Sequence, residues 1–490
     1  MTARSSTRTR RLLAGVFAMA LVAAACGSDD SDSSDDTSAA TDAPAETDAP
    51  AETDAPAETD APADTEAPAD TEAPSDTEAA EEGDDMEASG EPIVIGVQNL
   101  EGDPNGSFPE YSIAVQAAAD YVNAELGGLG GRPIEISLCK SVVTPDDSQR
   151  CANELSAEGV EMALSTINFF GNHFGIYQGS GVPVVVGTPI TLADFTSEGV
   201  WAIGAGGGCL GVHTGLVQFA TAEIEEAAGI EVNKVSVPWA DTPPGVVCYN
   251  DLEAKPLDVI NGTEPGDSVR AGELPDLTHI GVPVAPATPD MTPQATEVLD
   301  FEPDVIIFSA QGADCWNFVD ALGRLGWTPD QIPLVLSGAC TDFEAMAAAG
   351  DLAVGIYFTG NENSVFGAPE GDNDAAIYQT KGLEYGIPED LLFTGFASAG
   401  FQAIINMWEA AESIDGDVTG QAISDAFGAT DGSAETFGAS PLDCSSAPAP
   451  YIAVCGATIS ITQWDGTATV DIVPRLNAID LVAGTELRPG

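Results

Sequence analysis

Positive charge is what this sequence has least of. Its 490 residues carry 14 Lys and Arg against 79 Asp and Glu, with 3 His. Phosphate binding needs Lys and Arg, so the composition argues against nucleic acid as a partner. An anionic membrane surface is disfavoured for the same reason. Metal-ligand spacing is missing too: no CxxC occurs, and His173, His213 and His279 are scattered. No metal and no cofactor is therefore expected. There is no GxSxG, no suggestion of a Ser–His–Asp set, and no carboxylate pair at helical spacing beside a His, so no enzyme is expected. The apolar run at residues 12–25 is 14 residues long, too short to span a bilayer.

That run follows Arg4, Arg8, Arg10 and Arg11, the order of a signal peptide. It ends Ala23-Ala24-Ala25-Cys26-Gly27, which resembles a bacterial lipobox in which Cys26 becomes the lipidated first residue. Cleavage by ordinary signal peptidase is the alternative, and either route exports the protein. Residues 27–90 hold 23 of the acids and no Lys or Arg, and from Thr41 the hexad TDAPAE recurs to about Ala79. With almost no apolar residue beyond Ala, this stretch cannot offset chain entropy and reads as an extended acidic spacer. The remaining 400 residues keep 56 acids and 10 bases, a solvated acidic surface that disfavours a polyanionic ligand.

Eight further cysteines, at 139, 151, 209, 248, 315, 340, 444 and 455, make an even number in an exported chain and read as disulfides. Sequence allows 105 pairings. Pairing of neighbours is the simplest: Cys139–Cys151, Cys209–Cys248, Cys315–Cys340 and Cys444–Cys455.

The organising stretch is residues 92–106, PIVIGVQNLEGDPNG. Ile93, Val94, Ile95 and Val97 form a short β-branched run, suited to a strand buried on both faces of a parallel sheet. A polar glycine loop follows, then a helix with Ile113, Ala114, Ala117, Ala118, Tyr121, Val122 and Leu126 on one face. Loops at the carboxyl ends of such strands bind small molecules in open α/β sheets. Strands are expected at 133–138, 162–165, 182–186 and 201–204, then at 234–239, 280–284, 305–309, 334–337 and 355–358. Helices are expected at 211–228, 313–325, 397–412 and 418–427. Thr341 with Glu344 reads as a capping box, and Trp464-Asp465-Gly466 as a turn between late strands. The fold class is α/β: two doubly wound parallel-sheet lobes joined by a hinge.

Several stretches together resemble the leucine/isoleucine/valine-type solute-binding proteins of ABC transporters, which have the type I periplasmic-binding fold. They are IVIGV, VPVVVGTPIT with FTSEGVWAIG, KVSVPWADTPPG, ATPDMTPQATEVLDFEPDVIIF and GFASAGFQAIINMWEAA. The resemblance spans about 91–490 and implies three crossings between lobes, near 205, 360 and 440. It divides the chain into a signal segment 1–26, a linker 27–90, an amino-terminal lobe of 91–205 plus 361–440, and a carboxyl-terminal lobe of 206–360 plus 441–490.

It also implies a ligand cleft. Loops after the first, third and fourth strands offer Asn99, Asn105, Thr166, Asn168, Phe169, Phe170, Thr188 and Thr191. Hydroxyls and backbone N–H groups there would hold a carboxylate or amide. Phe169 and Phe170 serve equally as core residues, and Thr188 and Thr191 both fit the family's hydroxyl position. The second lobe would close with Trp239, Asp241, Gln311, Asp314 and Trp316. Asp241 or Asp314 would pair an ammonium group or cap a helix. Pro244 stands before Gly245 where the amino-acid binders carry an aromatic, and Pro289-Asp290 falls where they carry an acid. Branched-chain specificity is thus not implied.

The segment 206–211, GGGCLG, fits both a hinge and a dinucleotide loop, but Asp241 lies about 30 residues on, where roughly 20 is usual. The reading is an extracytoplasmic solute-binding lipoprotein of an ABC importer. It would be a monomer that captures a small polar solute, hands it to a membrane permease, and touches the membrane only through its lipid. A sensor component for a signalling partner and an exported hydrolase of the same fold class are the alternatives.

Overall fold

A computed structural model describes residues 87–103, 106–360, 364–434 and 436–486. Cys26, the signal segment, nearly all of the linker and Asn105 lie outside the described residues. No described helix is long and apolar enough to cross a membrane.

The first half alternates strand and helix. It comprises β1 (Ile93–Leu100), α1 (Pro109–Glu125), β2 (Ile134–Ser141), α2 (Pro145–Glu158), β3 (Met162–Ser165), α3 (Phe174–Ser180), β4 (Val184–Val186), α4 (Leu192–Thr196) and β5 (Val200–Ala202). The five strands pair in parallel in the order β2-β1-β3-β4-β5. Alternation along β1 sends Ile93, Ile95 and Val97 toward α1, while Gly96 faces Leu155 and Val160 on the other side.

The second half begins with α5 (Cys209–Gln218), a π turn at Phe219–Glu223 and α6 (Ile224–Ala228). It continues through β6 (Lys234–Ala240), α7 (Pro243–Tyr249), a second π turn at Asn250–Ala254, α8 (Lys255–Asn261) and β7 (Thr278–Val284). Then come α9 (Thr292–Asp300), β8 (Val305–Phe308), α10 (Ala313–Arg324), β9 (Leu334–Leu336), α11 (Phe343–Ala349) and β10 (Tyr357–Gly360). The chain next forms α12 (Asp374–Glu384), α13 (Ala397–Glu412) and α14 (Gly420–Gly428), and ends in the hairpin β11 (Thr458–Trp464) and β12 (Thr469–Asn477). The second sheet runs β12-β11-β10-β9-β8-β6-β7, parallel except where β11 meets its neighbours. One face packs on α9, α10 and α11, the other on α5, α6 and α8. This is the two-lobed α/β architecture expected.

Helices α12 to α14 return to the first sheet. Phe401 on α13 is fully buried, with ring centroids 6.3 Å from Tyr121, 5.4 Å from Tyr378 and 5.9 Å from Phe437. Residues up to 455 stay there: Val454 forms a parallel bridge to Ala202, and Leu442, Cys444 and Cys455 join the same core as Phe401. The third passage between sheets thus comes after Cys455, later than the 440 expected.

Four disulfides link Cys139–Cys151, Cys209–Cys248, Cys315–Cys340 and Cys444–Cys455, the neighbour pattern. The cap of α11 differs from expectation: Asp342, not Thr341, accepts from the Glu344 and Ala345 N–H groups. The helical stretch α7–α8 has no counterpart in the sequence reading.

Phe401→Ala should cost about 3–5 kcal/mol, because a buried ring shared by α1, α12 and α13 leaves a cavity that none of them can fill alone. Denaturant unfolding of the two proteins measures it, and a loss under about 1 kcal/mol would show the site collapsing freely.

Candidate functional site

In a parallel sheet the carboxyl ends of all strands share one edge, and every described residue expected at the site lies at such an edge. Asn99 ends β1, Thr166 to Phe170 follow β3, and Thr188 and Thr191 follow β4. Trp239 and Asp241 mark the end of β6, while Gln311, Asp314 and Trp316 follow β8.

Several of these side chains are engaged by their own loops. Asn99 is fully buried and donates from Nδ2 to Phe108 O and Ser112 Oγ, both at 2.8 Å, tying the loop after β1 to the start of α1. Asn168 donates to Ser148 Oγ at 2.8 Å and accepts from the N–H groups of Phe170 and Gly171. Thr191 caps α4 in a reciprocal box with Asp194. Burial pushes the Asp194 carboxyl up to about 6. Trp316 donates its indole N–H to Cys340 O. Asp314 accepts from the Ala287 N–H, and Thr242 rather than Asp241 caps α7, so neither Asp is a helix cap. Asp290 is taken by Thr292 and Arg324.

What remains open is narrower. Thr166 is 1% exposed, and its Oγ1 has no hydrogen-bond partner; neither has Thr188 Oγ1. Tyr111, on the first turn of α1, is fully buried and its hydroxyl is also unpartnered. The residues that carry these hydroxyls lie about Gly187. Its N–H reaches Ser165 O, which places Thr166 beside it, and a Cβ there would sit 2.8 Å from the Tyr111 hydroxyl. Burying a hydroxyl with nothing to bond is costly. Tyr111, Thr166 and Thr188 are therefore the candidate polar contacts at this edge. Gly187, Ile203, Gly204, Ala399, Gln402 and Asn406 line a small recess there.

Aromatic rings flank the edge. Phe170 is exposed, Phe169 half-buried near Gly106, and Phe108 meets Phe396 edge-on at 5.0 Å. In the second lobe Trp239 is half-buried and stacks flat on Tyr249 at 5.1 Å, beside the exposed Asp241 and Gln311. Each Lys and Arg among the described residues already has a partner; the one nearest the edge, Lys140, holds Glu101 at 2.7 Å.

Behind the edge lies a buried polar network. His173 sits between Ser148 Oγ at 3.2 Å and Ser165 Oγ at 3.1 Å, while Gln98 joins Ser148 to the Tyr177 hydroxyl. Burial pushes the His173 pKa down to about 3, so the ring is neutral.

The chain leaves the first sheet through Gly206, Gly207 and Gly208, all at positive φ. A Cβ on Gly208 would lie 2.4 Å from Pro189 O, and one on Gly207 would lie 2.3 Å from Gly456 O. Only glycine fits this conformation and spacing, so the glycine run is a tight interlobe crossing.

Two such lobes, with strand edges carrying the open polar atoms and a glycine crossing between them, match known structures over nearly their whole length. A Thermus thermophilus branched-chain amino acid ABC transporter protein with bound valine aligns with a TM-score of 0.58 at 14% identity, covering 80% of this chain and 98% of that one. The chain has the type I periplasmic-binding-protein fold. A periplasmic binding protein family model matches residues 260–441. A putative branched-chain amino acid ABC transporter protein from Rhodospirillum rubrum aligns at 18% identity, with a TM-score of 0.56 and coverage of 78% and 99%. A fatty acid ABC transporter substrate-binding protein from Thermomonospora curvata aligns at 14% identity, with a TM-score of 0.55 and coverage of 81% and 95%. A search of curated proteins finds no match. The resemblance drawn from the sequence motifs therefore holds at the level of fold, and the family model matches part of the chain.

Sequence reasoning missed Tyr111, Gly187, Gln402 and Asn406. Tyr111 lies one turn into α1, where the apolar pattern alone marks it as core.

His173 gives this periplasmic-binding fold a pH signature. A His titrates near 6.5 in an unfolded chain, and here near 3 when folded. Between those values the unfolded state binds the extra proton, so this contribution to stability is complete above about 6.5 and drains away as pH falls toward 3. Wild type should lose stability faster than His173→Asn between pH 6 and 4, by up to about 1.4 kcal/mol per pH unit. Asp194 and Glu409, both pushed up by burial, titrate in both proteins and cancel. Parallel unfolding curves across that range would refute the neutral ring.

Proposed function

We propose that this protein is the extracytoplasmic solute-binding component of an ABC importer. It captures a small polar solute, an amino acid, amide or related compound, between its lobes and closes about the crossing at Gly206–Gly208. The observation that carries this reading is the set of unpartnered buried hydroxyls of Tyr111, Thr166 and Thr188 at one strand edge. They would receive the ligand's carboxylate or amide together with backbone N–H groups, while Phe169, Phe170 and Trp239 cover its apolar part. With every described Lys and Arg already paired, and Asp241 exposed opposite, the cleft favours a neutral, zwitterionic or amine-bearing solute over a dianion. Asp290 is bonded to Arg324 and Pro244 replaces an aromatic, which supports a ligand other than a branched-chain amino acid. Closure would exclude water and strengthen each polar contact.

A thermal-shift panel of amino acids, amides and amines should find a solute adding about 2.7 kcal/mol at 100 times its dissociation constant. That solute should compact the protein in small-angle X-ray scattering. Thr188→Val should weaken it roughly 10-fold or more, the cost of one hydrogen bond to a charged group. A bound solute with an unchanged radius of gyration and full affinity for Thr188→Val would defeat the reading.

The same reading places the protein on the outer face of the cytoplasmic membrane through a lipid on Cys26, beside its permease. Cys26→Ala should move it from the membrane fraction to the soluble exported fraction with ligand affinity unchanged. Retention of that variant in membranes would exclude lipid anchoring at this cysteine.

A further inference from the structure

Two side-chain amides fix the direction of the hydrogen bonds around His173. Asn168 Oδ1 accepts from the Phe170 N–H at 2.9 Å and the Gly171 N–H at 3.2 Å, so Nδ2 is the atom it turns to Ser148. Gln98 Oε1 accepts from the Tyr177 hydroxyl, which turns Gln98 Nε2 to the same Ser148 oxygen at 3.1 Å. A hydroxyl has two lone pairs and one proton. Both lone pairs of Ser148 Oγ are thereby taken, and its proton goes to His173 Nδ1 at 3.2 Å. The neutral ring then carries its own proton on Nε2 and donates to Ser165 Oγ at 3.1 Å. The Ser165 hydroxyl donates on to Thr166 O. Gln98, Ser148, Ser165, Asn168 and His173 are each at most 3% exposed, so a broken link leaves a buried polar atom unpaired.

We propose that His173, fixed as the Nε2–H tautomer, is the positioning residue of the loop after β3, the loop that presents Thr166, Phe169 and Phe170. One branch runs from the ring through Ser148 and Asn168 to the backbone of Phe170 and Gly171. The other runs through Ser165 to the Thr166 carbonyl. Both branches finish on the same loop, so the ring sets its two ends against each other. The opposite tautomer would aim three donors at Ser148 Oγ and leave the hydroxyl proton without an acceptor. His173 is itself fully buried and acts on a ligand only through the loop. That use in binding rests on the reading of the cleft given above, whereas the tautomer and the hold on the loop do not.

The test begins with the full wild-type chain labelled with nitrogen-15 histidine, which has only 3 rings to assign. His173 is identified by the signals lost in His173→Asn, or by elimination with His213→Asn and His279→Asn. Long-range proton–nitrogen correlation at neutral pH should show a protonated Nε2 and a bare Nδ1. The reverse assignment overturns the proposal, and this reading comes from wild type, whether or not a network variant folds. Ser148→Ala then cuts the link between the ring and Asn168. Amide exchange at Phe170 and Gly171 should accelerate roughly 10-fold more than exchange along β1. Equal acceleration in the loop and in β1 is what a general loss of stability gives, and it would overturn the local hold. The solute found among the amino acids, amides and amines should bind Ser148→Ala roughly 10-fold more weakly. Full affinity in a variant with a loosened loop would remove His173 from ligand positioning. Failure of every solute to bind wild type would defeat the cleft reading instead, with the tautomer and the exchange rates still deciding this one.

Discussion

Backbone packed against backbone at the crossing between lobes is the constraint on which the rest of this structure depends. Gly204 lies against Gly187, Gly207 against Gly456, Gly208 against Pro189, and Gly211 against Gly206. No side chain fits between them. The loop after β4, which carries Thr188, is therefore fixed by the same contacts that carry the chain into the second sheet. Cys209 N–H bonding to Pro189 O adds a direct tie. Whatever happens at the crossing is felt at the strand edge without any relay of side chains.

The two lobes solve the problem of buried polar groups differently. Behind the first edge, Gln98, Ser148, Ser165, His173 and Tyr177 satisfy one another as neutral groups. A neutral network carries little desolvation cost once its bonds are made. The second lobe buries charge: Lys255 is fully enclosed with Asp251 and the carbonyl of Glu486. A buried ion pair contributes little net stability, yet removing one partner is severe. The chain's scarce cations are thus spent inside or on neighbouring acids, and the outer surface is left to the acids.

Most of the strands were legible because short β-branched runs between polar loops have few other uses. Met162–Ser165 and the helix Ala397–Glu412 match their expected bounds, and the other strands shift by a few residues. The helical stretch over α7 and α8 was hidden for physical reasons. Its prolines and its buried Asp251, Glu253 and Lys255 erase the apolar period, and a π turn shifts the register midway. At the candidate site, residue types at strand ends were readable but their employment was not. Asn168, Thr191 and Trp316 look the same in sequence whether they face a ligand or brace a loop. Tyr111 and Gly187 become related only through the register of β3 on β4 and the packing of α1, which a linear pattern does not contain.

Neither lobe is continuous in the chain. The first sheet is covered on one face by α12, α13 and α14, some 170 residues beyond its last strand, and the second is completed by the hairpin β11–β12 just before residue 480. A chain made from its amino terminus thus holds no finished lobe until nearly all of it exists. Until then Ile93, Ile95 and Val97 lack part of their cover, and β10 presents a bare edge. Such an intermediate is aggregation-prone and slow to lock. Were the chain exported, as proposed above, delayed closure would be an advantage: the topology keeps the growing chain loose, and folding could finish on the far side.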